Sequence, residues 1–371
     1  MISEQSSVFH ALILAQLPMI GKITARKLIT ECGSIEAVFT EKKRNLLSIE
    51  GIKTSVVHSL EHISPEIYAK AENELEFLET NKIQTFIIND ENYPKRLRHC
   101  SDAPFMFFGK GKMNFNVPKV VAIVGTRKAG SYGTSFTKQL IADFVESDVL
   151  VISGLAYGID TAAHEAAVHH NMQTIGVLGH GFRILYPASN RKLAIQMVKN
   201  GGLITEFLSD VGPDAGNFPT RNRIIAGLSD AVVVVEARSE GGALITANLA
   251  FSYDRDVFSV PGRVGDVQSE GCNNLIKSNK AALITSAKDV LELMRWDDDK
   301  GSKKNRQEKL FFDVSEEEKQ IISYIQQQDE MDIDTLSAKI NMPISRLASV
   351  LLSLECKCYI ECLPGKRYKL L

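Results

Sequence analysis

Between residues 117 and 290, continuous apolar runs alternate with segments of helical periodicity, and this constrains the fold more than any other feature. The runs are Val120–Val124, Leu150–Ile152, Thr174–Leu178, Leu203–Thr205, Ala231–Glu236, Val257–Val260 and Ala282–Ile284. An unbroken run, rather than an in-out alternation, is what a strand buried on both faces needs. Phe136–Glu146 and Thr161–His170 carry the helical pattern between runs. Repeated β-α units predict an α/β class with an open, doubly wound, mostly parallel sheet and helices on both faces. Such sheets bind ligands beyond the carboxyl ends of their strands, near the point where the strand order reverses.

The flanks read differently. Residues 1–80 are helical, with punctuation at Pro18, Gly21, Gly33 and Gly51. Leu17–Leu28 and Leu47–Leu60 both resemble helix-hairpin-helix units, whose turn offers backbone N–H groups to a DNA phosphate. Met19 stands for the first turn glycine in one copy, and Lys53 for the second in the other. A structural helical bundle and a non-specific DNA contact both remain open. A connector follows, with a short apolar run at Thr85–Ile88 and a loop-rich stretch from Asn89 to Pro104, and the core is taken as 81–296. Residues 297–314 are polar and charged at first, without apolar periodicity, and read as a linker. Ser315 and Glu318 form a capping box at the start of a last domain, 315–371. Helical patterns at Glu316–Gln327, Asp334–Ile340 and Ile344–Cys356, then a two-strand hairpin, resemble a winged helix.

Length and charge narrow the function. A chain of 371 residues has room for two or three domains. No apolar run approaches the ~18 residues of a membrane span, and Ala11–Leu17 is too short and wrongly flanked for a secretory signal. Six cysteines are few for this length and fit a reducing cytoplasm. Net charge is −2, so a nucleic-acid site must be a local patch. Residues 117–290 carry 16 Lys/Arg and 16 Asp/Glu, and 315–371 carry seven against nine. The supposed recognition helix from Ile344 offers only Arg346, although Lys366, Arg367 and Lys369 make the wing basic.

The loops after the strands hold the chemistry. Gly125-Thr126-Arg127-Lys-Ala-Gly130-Ser131-Tyr132-Gly133 precedes a helix, and a glycine-rich turn there can present N–H groups to an anion. Its glycine spacing is not a dinucleotide fingerprint, and Ser153-Gly154 replaces the acid expected after the second strand, so no nicotinamide cofactor is implied. Gly216-Asn217-Phe218-Pro-Thr-Arg221-Asn222-Arg223 follows the fourth run, and Glu240-Gly241-Gly242 the fifth. Arg127, Arg191, Lys192, Arg221 and Arg223 are expected together on one rim, with Tyr132, Phe182 and Phe218 beside them. Arg238 and Arg263 either join them or are only solvated. Cations, exposed glycine backbone and aromatic rings suit a single strand: phosphates meet charge and bases stack.

These motifs resemble the DprA/Smf family over roughly residues 85–295. The family's Gly-Ser-Arg is Gly125-Thr126-Arg127 here, and its Leu-Ala-Arg-Gly is Leu155-Ala156-Tyr157-Gly158, which trades a cation for a ring. The resemblance implies an extended Rossmann-like core, single-stranded DNA binding, homodimerisation through the core, and delivery of the strand to RecA during natural transformation. It implies a cytoplasmic recombination mediator with no cofactor and no membrane partner, rather than an enzyme. The expected strand-binding set is Gly125, Thr126, Arg127, Ser131, Tyr132, Gly133, Ser153, Gly154, Arg191, Lys192, Asn217, Phe218, Arg221, Asn222 and Arg223.

Other candidates have plainer readings. Asp160 and His164 lie four apart on one helix face; without a nucleophile or metal they read as a cap and a packed histidine, not an acid–base pair. Glu206 and Glu236 end strands and are expected to anchor loops. Cys356, Cys358 and Cys362 lack a zinc spacing and read as structural thiols, so no metal is expected. An alternative function is a nucleotide-processing enzyme akin to the lysine-decarboxylase-like phosphoribohydrolases, suggested by Val260-Pro261-Gly262; Arg263-Val264 then departs from the motif those enzymes need. A winged-helix transcription factor would leave the core motifs unexplained.

Overall fold

The computed structural model describes residues 2–296, 315–326, 330–357, 359–363 and 367–370. The linker at 297–314, Cys358 and Lys366 lie outside the described residues. Two compact units are present, Met1–Met294 and Arg295–Leu371.

In the first unit, nine strands form one sheet: β1 (Gln84–Ile87), β2 (Met106–Gly111), β3 (Val120–Gly125), β4 (Leu150–Ser153), β5 (Thr174–Val177), β6 (Gly201–Thr205), β7 (Ala231–Val235), β8 (Asp256–Ser259) and β9 (Ala282–Leu283). Their order is β1-β2-β6-β5-β4-β3-β7-β8-β9. The pairs from β6 through to β9 are parallel; β2 runs against both of its neighbours. Every residue of β4, β5, β6 and β7 is buried. Each buried Val or Ile there is worth about 1.5–3 kcal/mol over its exposed state. From β3 the chain steps outward through β4, β5 and β6, then crosses back to β7, so the order reverses between β3 and β7. That seam is where the loops after β3 and β7 diverge and leave a crevice.

All seven apolar runs are strands of this sheet. The sequence reading missed β2 and treated the β1 segment as connector. The β1–β2 pair adds an antiparallel margin beside β6, with the short helix Lys95–Arg98 between its two strands.

The helices of residues 1–80 share this compact unit. Glu74 accepts the backbone N–H of Ser209 at 2.8 Å and its hydroxyl at 2.5 Å. The Lys22 ammonium meets Glu206 at 2.7 Å. Lys22 is the cation next to the Gly21 turn of the first hairpin, and it is thus committed to a carboxylate of the sheet; burial lowers its pKa while Glu206 pulls it back up.

The second unit has helices Glu316–Gln326, Ile333–Ile340 and Ile344–Cys356 and a three-stranded sheet. Its strands are β10 (Glu330–Asp332), β11 (Ile360–Leu363) and β12 (Arg367–Leu370), in the order β10-β12-β11. The third strand, β10, adds to the expected hairpin. Ser315 and Glu318 form the capping box, at 2.8 and 3.3 Å. Glu318 also accepts from Lys357 and Ser353, and these bonds, outweighing its burial, hold its carboxyl down at about 2.

Candidate nucleic-acid interface

A cavity of about 650 Å³ opens at the β3/β7 seam. Arg127 and Thr126 come from the loop after β3, Arg238 and Gly241 from the loop after β7, and Phe218, Arg221 and Asn222 from the helix Asn217–Leu228. Arg127 is exposed, and among the described residues no carboxylate pairs with it. Its guanidinium instead sits 4.9 Å above the centre of the Phe218 ring. A cation held over a ring stays poised for an incoming anion. Tyr186 lies 5.9 Å from Phe218, and Tyr157 meets Tyr186 edge-on at 6.2 Å. Tyr157, Tyr186 and Phe218 therefore form a row of rings leading to Arg127. Tyr157 and Tyr186 are 44% and 37% exposed, so bases can reach both.

The expectation that five cations share an open rim is corrected at Arg221 and Arg223, which are 3% and 7% exposed. Both project inward from a helix whose last eight residues are buried. Arg221 Nη1 donates to the carbonyls of Gly154 (2.6 Å) and Val177, tying the ends of β4 and β5 together. A Cβ on Gly154 would stand 2.2 Å from this guanidinium, so a larger residue there would have to displace it. Burial lowers the Arg221 pKa to about 10. Arg223 donates to the Glu206 carboxylate and the Asp102 carbonyl, and Glu206 also holds Lys22. Arg221 retains one edge on the cavity, where its guanidinium lies 5.9 Å from Phe218; Arg223 does not line the cavity.

A second correction concerns the helix Ser131–Phe144. Its N-terminus was expected to receive a phosphate. The Glu236 carboxylate occupies it, accepting N–H groups from Gly130 at 2.7 Å and Gly133 at 2.9 Å. An internal anion thus satisfies the donors an external one would need. Glu236 follows β7, and Thr126 N–H donates to its carbonyl at 2.7 Å, so one residue fixes both ends of the Arg127 loop. Gly158, at φ +78°, lets the neighbouring loop press against the Thr126 carbonyl. Ser131 is exposed at the start of that helix, and Tyr132, 52% exposed, donates to the Pro261 carbonyl at 3.1 Å.

The remaining candidates fall into place around these. Ser153 is fully buried and donates to the Ile123 carbonyl, so it faces the sheet rather than a ligand. Asn222 lines the cavity and donates to the Gly242 carbonyl; Asn217 donates to the Gly212 carbonyl. Asp160 accepts N–H groups from Gly154 and Ala156, and burial raises its pKa against the pull of Arg221. His164 is fully buried four residues on, with its Nδ1 2.7 Å from Thr174 Oγ1. Arg191 and Lys192 are exposed but do not line this cavity. Tyr186, which precedes Arg191 and Lys192 in the segment after β5, was not singled out from the sequence.

The chain is similar to known proteins over both of its units. Residues 84–295 match the model of the DNA recombination-mediator protein A family, and residues 310–366 that of the DprA winged helix domain. The DNA processing protein DprA of Streptococcus pneumoniae is 39% identical over 213 residues, covering 57% of this chain and 75% of that protein. Protein Smf of Escherichia coli K12 is 33% identical over 305 residues, covering 79% of each. Among solved structures, S. pneumoniae DprA superposes with a TM-score of 0.61 at 32% identity, over 76% of this chain and 96% of that one. The Helicobacter pylori protein, described for its single-stranded DNA binding mode, gives 0.53 at 28% identity, over 58% and 97%. With residues 84–295 and 310–366 both matched, the chain belongs to the DprA/Smf family of DNA recombination mediators.

Proposed function

We propose that this protein binds single-stranded DNA in the cavity at the β3/β7 seam and delivers the strand to RecA, in the cytoplasm, as a homodimer joined through its sheet domain. The observation that carries the reading is the unpaired Arg127 guanidinium on Phe218, at the end of the ring row from Tyr157 and Tyr186. Arg127 takes a phosphate, the rings take bases, and Thr126, Asn222 and Arg238 supply polar groups at the wall. The DNA-binding description of the H. pylori relative supports the ligand class. Arg221, Arg223, Glu206, Glu236, Asp160 and His164 hold the loops in place. RecA delivery and dimerisation rest on the family.

Charge and stacking separate in one experiment. Binding of fluorescent oligo-dT is measured against salt for wild type, Arg127→Ala and Phe218→Ala. Arg127→Ala is expected to flatten the salt slope by about 0.7, one single-strand phosphate contact. Phe218→Ala is expected to cost about 1–3 kcal/mol, the worth of one stacked base. Unchanged affinity in both variants would remove the cavity from the reading.

A further inference from the structure

A second cavity, of about 530 Å³, shares a wall with the first. Leu185 lines this one, and the next residue, Tyr186, lines the cavity at the seam. The wall is firm, because the buried His180 ring accepts the Tyr186 N–H on Nε2 at 3.1 Å, while its Nδ1 lies 2.9 Å from the Gly181 carbonyl. Lys110, Arg183 and Arg191 stand around the second cavity, and no Asp or Glu lines it. Among the described residues, none of the three pairs with a carboxylate. Arg183 is oriented from below, 4.4 Å over the Phe77 ring and donating to Ser209 Oγ at 3.0 Å. Ile184 and Ile195 are 45% and 58% exposed beside it, above a half-buried Phe182.

A lining of cations and apolar surface with no acid suits a chain of phosphates bearing flat, weakly polar rings. We propose that this groove is a second subsite for the same single strand, which enters at Arg127, crosses Tyr186 and continues past Arg191 and Lys110. The inference rests on the reading that the first cavity holds a strand. Consecutive residues stand ~3.8 Å apart, so a strand crossing at Tyr186 reaches the groove without leaving the surface. The charge and the shared wall favour the strand over an acidic peptide, the competing occupant.

The test uses the full chain and oligo-dT of about 8 and about 24 nucleotides, lengths chosen to fill one subsite or both. Lys110→Glu combined with Ile195→Glu changes only groove residues, with circular dichroism as the check on folding. The expected result is binding of the short oligonucleotide within about twofold of wild type and of the long one about tenfold weaker or more, ~1.4 kcal/mol. Unchanged binding of the long oligonucleotide overturns the subsite, as does equal weakening at both lengths. Arg127→Ala on the short oligonucleotide tests the first cavity separately: if that variant binds like wild type, the underlying reading fails instead.

Discussion

His164 shows how a single buried side chain can set a pH response. Thr174 Oγ1 has one proton and donates it to the Val151 carbonyl at 3.0 Å, so it accepts from His164 Nδ1–H. Nε2 is then the bare nitrogen, buried without a partner among the described residues. Protonating it would place a charge in the core near Arg221, and burial first, then that guanidinium, lowers the pKa to about 3. The unfolded chain takes up this proton near pH 6.5 while the folded one does not, so stability falls as pH drops from about 6.5 towards 3. In His164→Leu, that acid-side slope should shrink by about one proton, at most ~1.4 kcal/mol per pH unit, in urea unfolding at pH 7, 6 and 5. Equal slopes would mean His164 is protonated in the fold. At the same scale, Arg221 and Arg223 mark the limit of reading charges from sequence. Their partners are the carbonyls of Gly154, Val177 and Asp102 and the carboxylate of Glu206, which folding brings to them from distant segments.

Among elements, the join between β3 and β7 governs the site. It brings Glu236 to the N-terminus of the Ser131–Phe144 helix across more than a hundred residues of sequence. Glu236→Ala would leave two N–H groups without their acceptor and loosen the Arg127 loop. The expected cost is about 2 kcal/mol in denaturant unfolding, with weaker oligo-dT binding as a consequence. Unaltered stability would show that water serves those donors equally well. The parallel strands were legible because a strand covered on both faces must be apolar throughout, as in Val120–Val124 and Ala231–Val235. β2 was not legible, since Met106–Gly111 follows a loop-rich stretch and only the one-turn helix Lys95–Arg98 separates it from β1. The Arg127 loop could be named from its glycines, but its occupant could not: the filling of the helix N-terminus by Glu236 depends on which strands are neighbours. Tyr186 escaped notice because a ring's use for stacking depends on what stands next to it, here Tyr157 and Phe218.

For the whole molecule, the proposed strand site lies in the unit Met1–Met294. In the other unit, Arg346, the one cation of its recognition helix, is paired with Glu317. Removing residues 310–371 should therefore change oligo-dT affinity by less than about tenfold, ~1.4 kcal/mol, with gel filtration confirming an intact remainder. A larger loss would move the main site to the winged helix. The molecule is expected to prefer a single strand because rings and the exposed Arg127 guanidinium line a cavity, not because a basic face meets a duplex; the net charge of −2 offers no such general attraction. The most direct test is a salt titration of the full chain on oligo-dT and on a duplex of equal length. Oligo-dT is expected to bind at least about tenfold tighter, and the preference to persist as salt rises, since stacking is not screened. Equal or tighter binding to the duplex, or a preference that vanishes with salt, would contradict it.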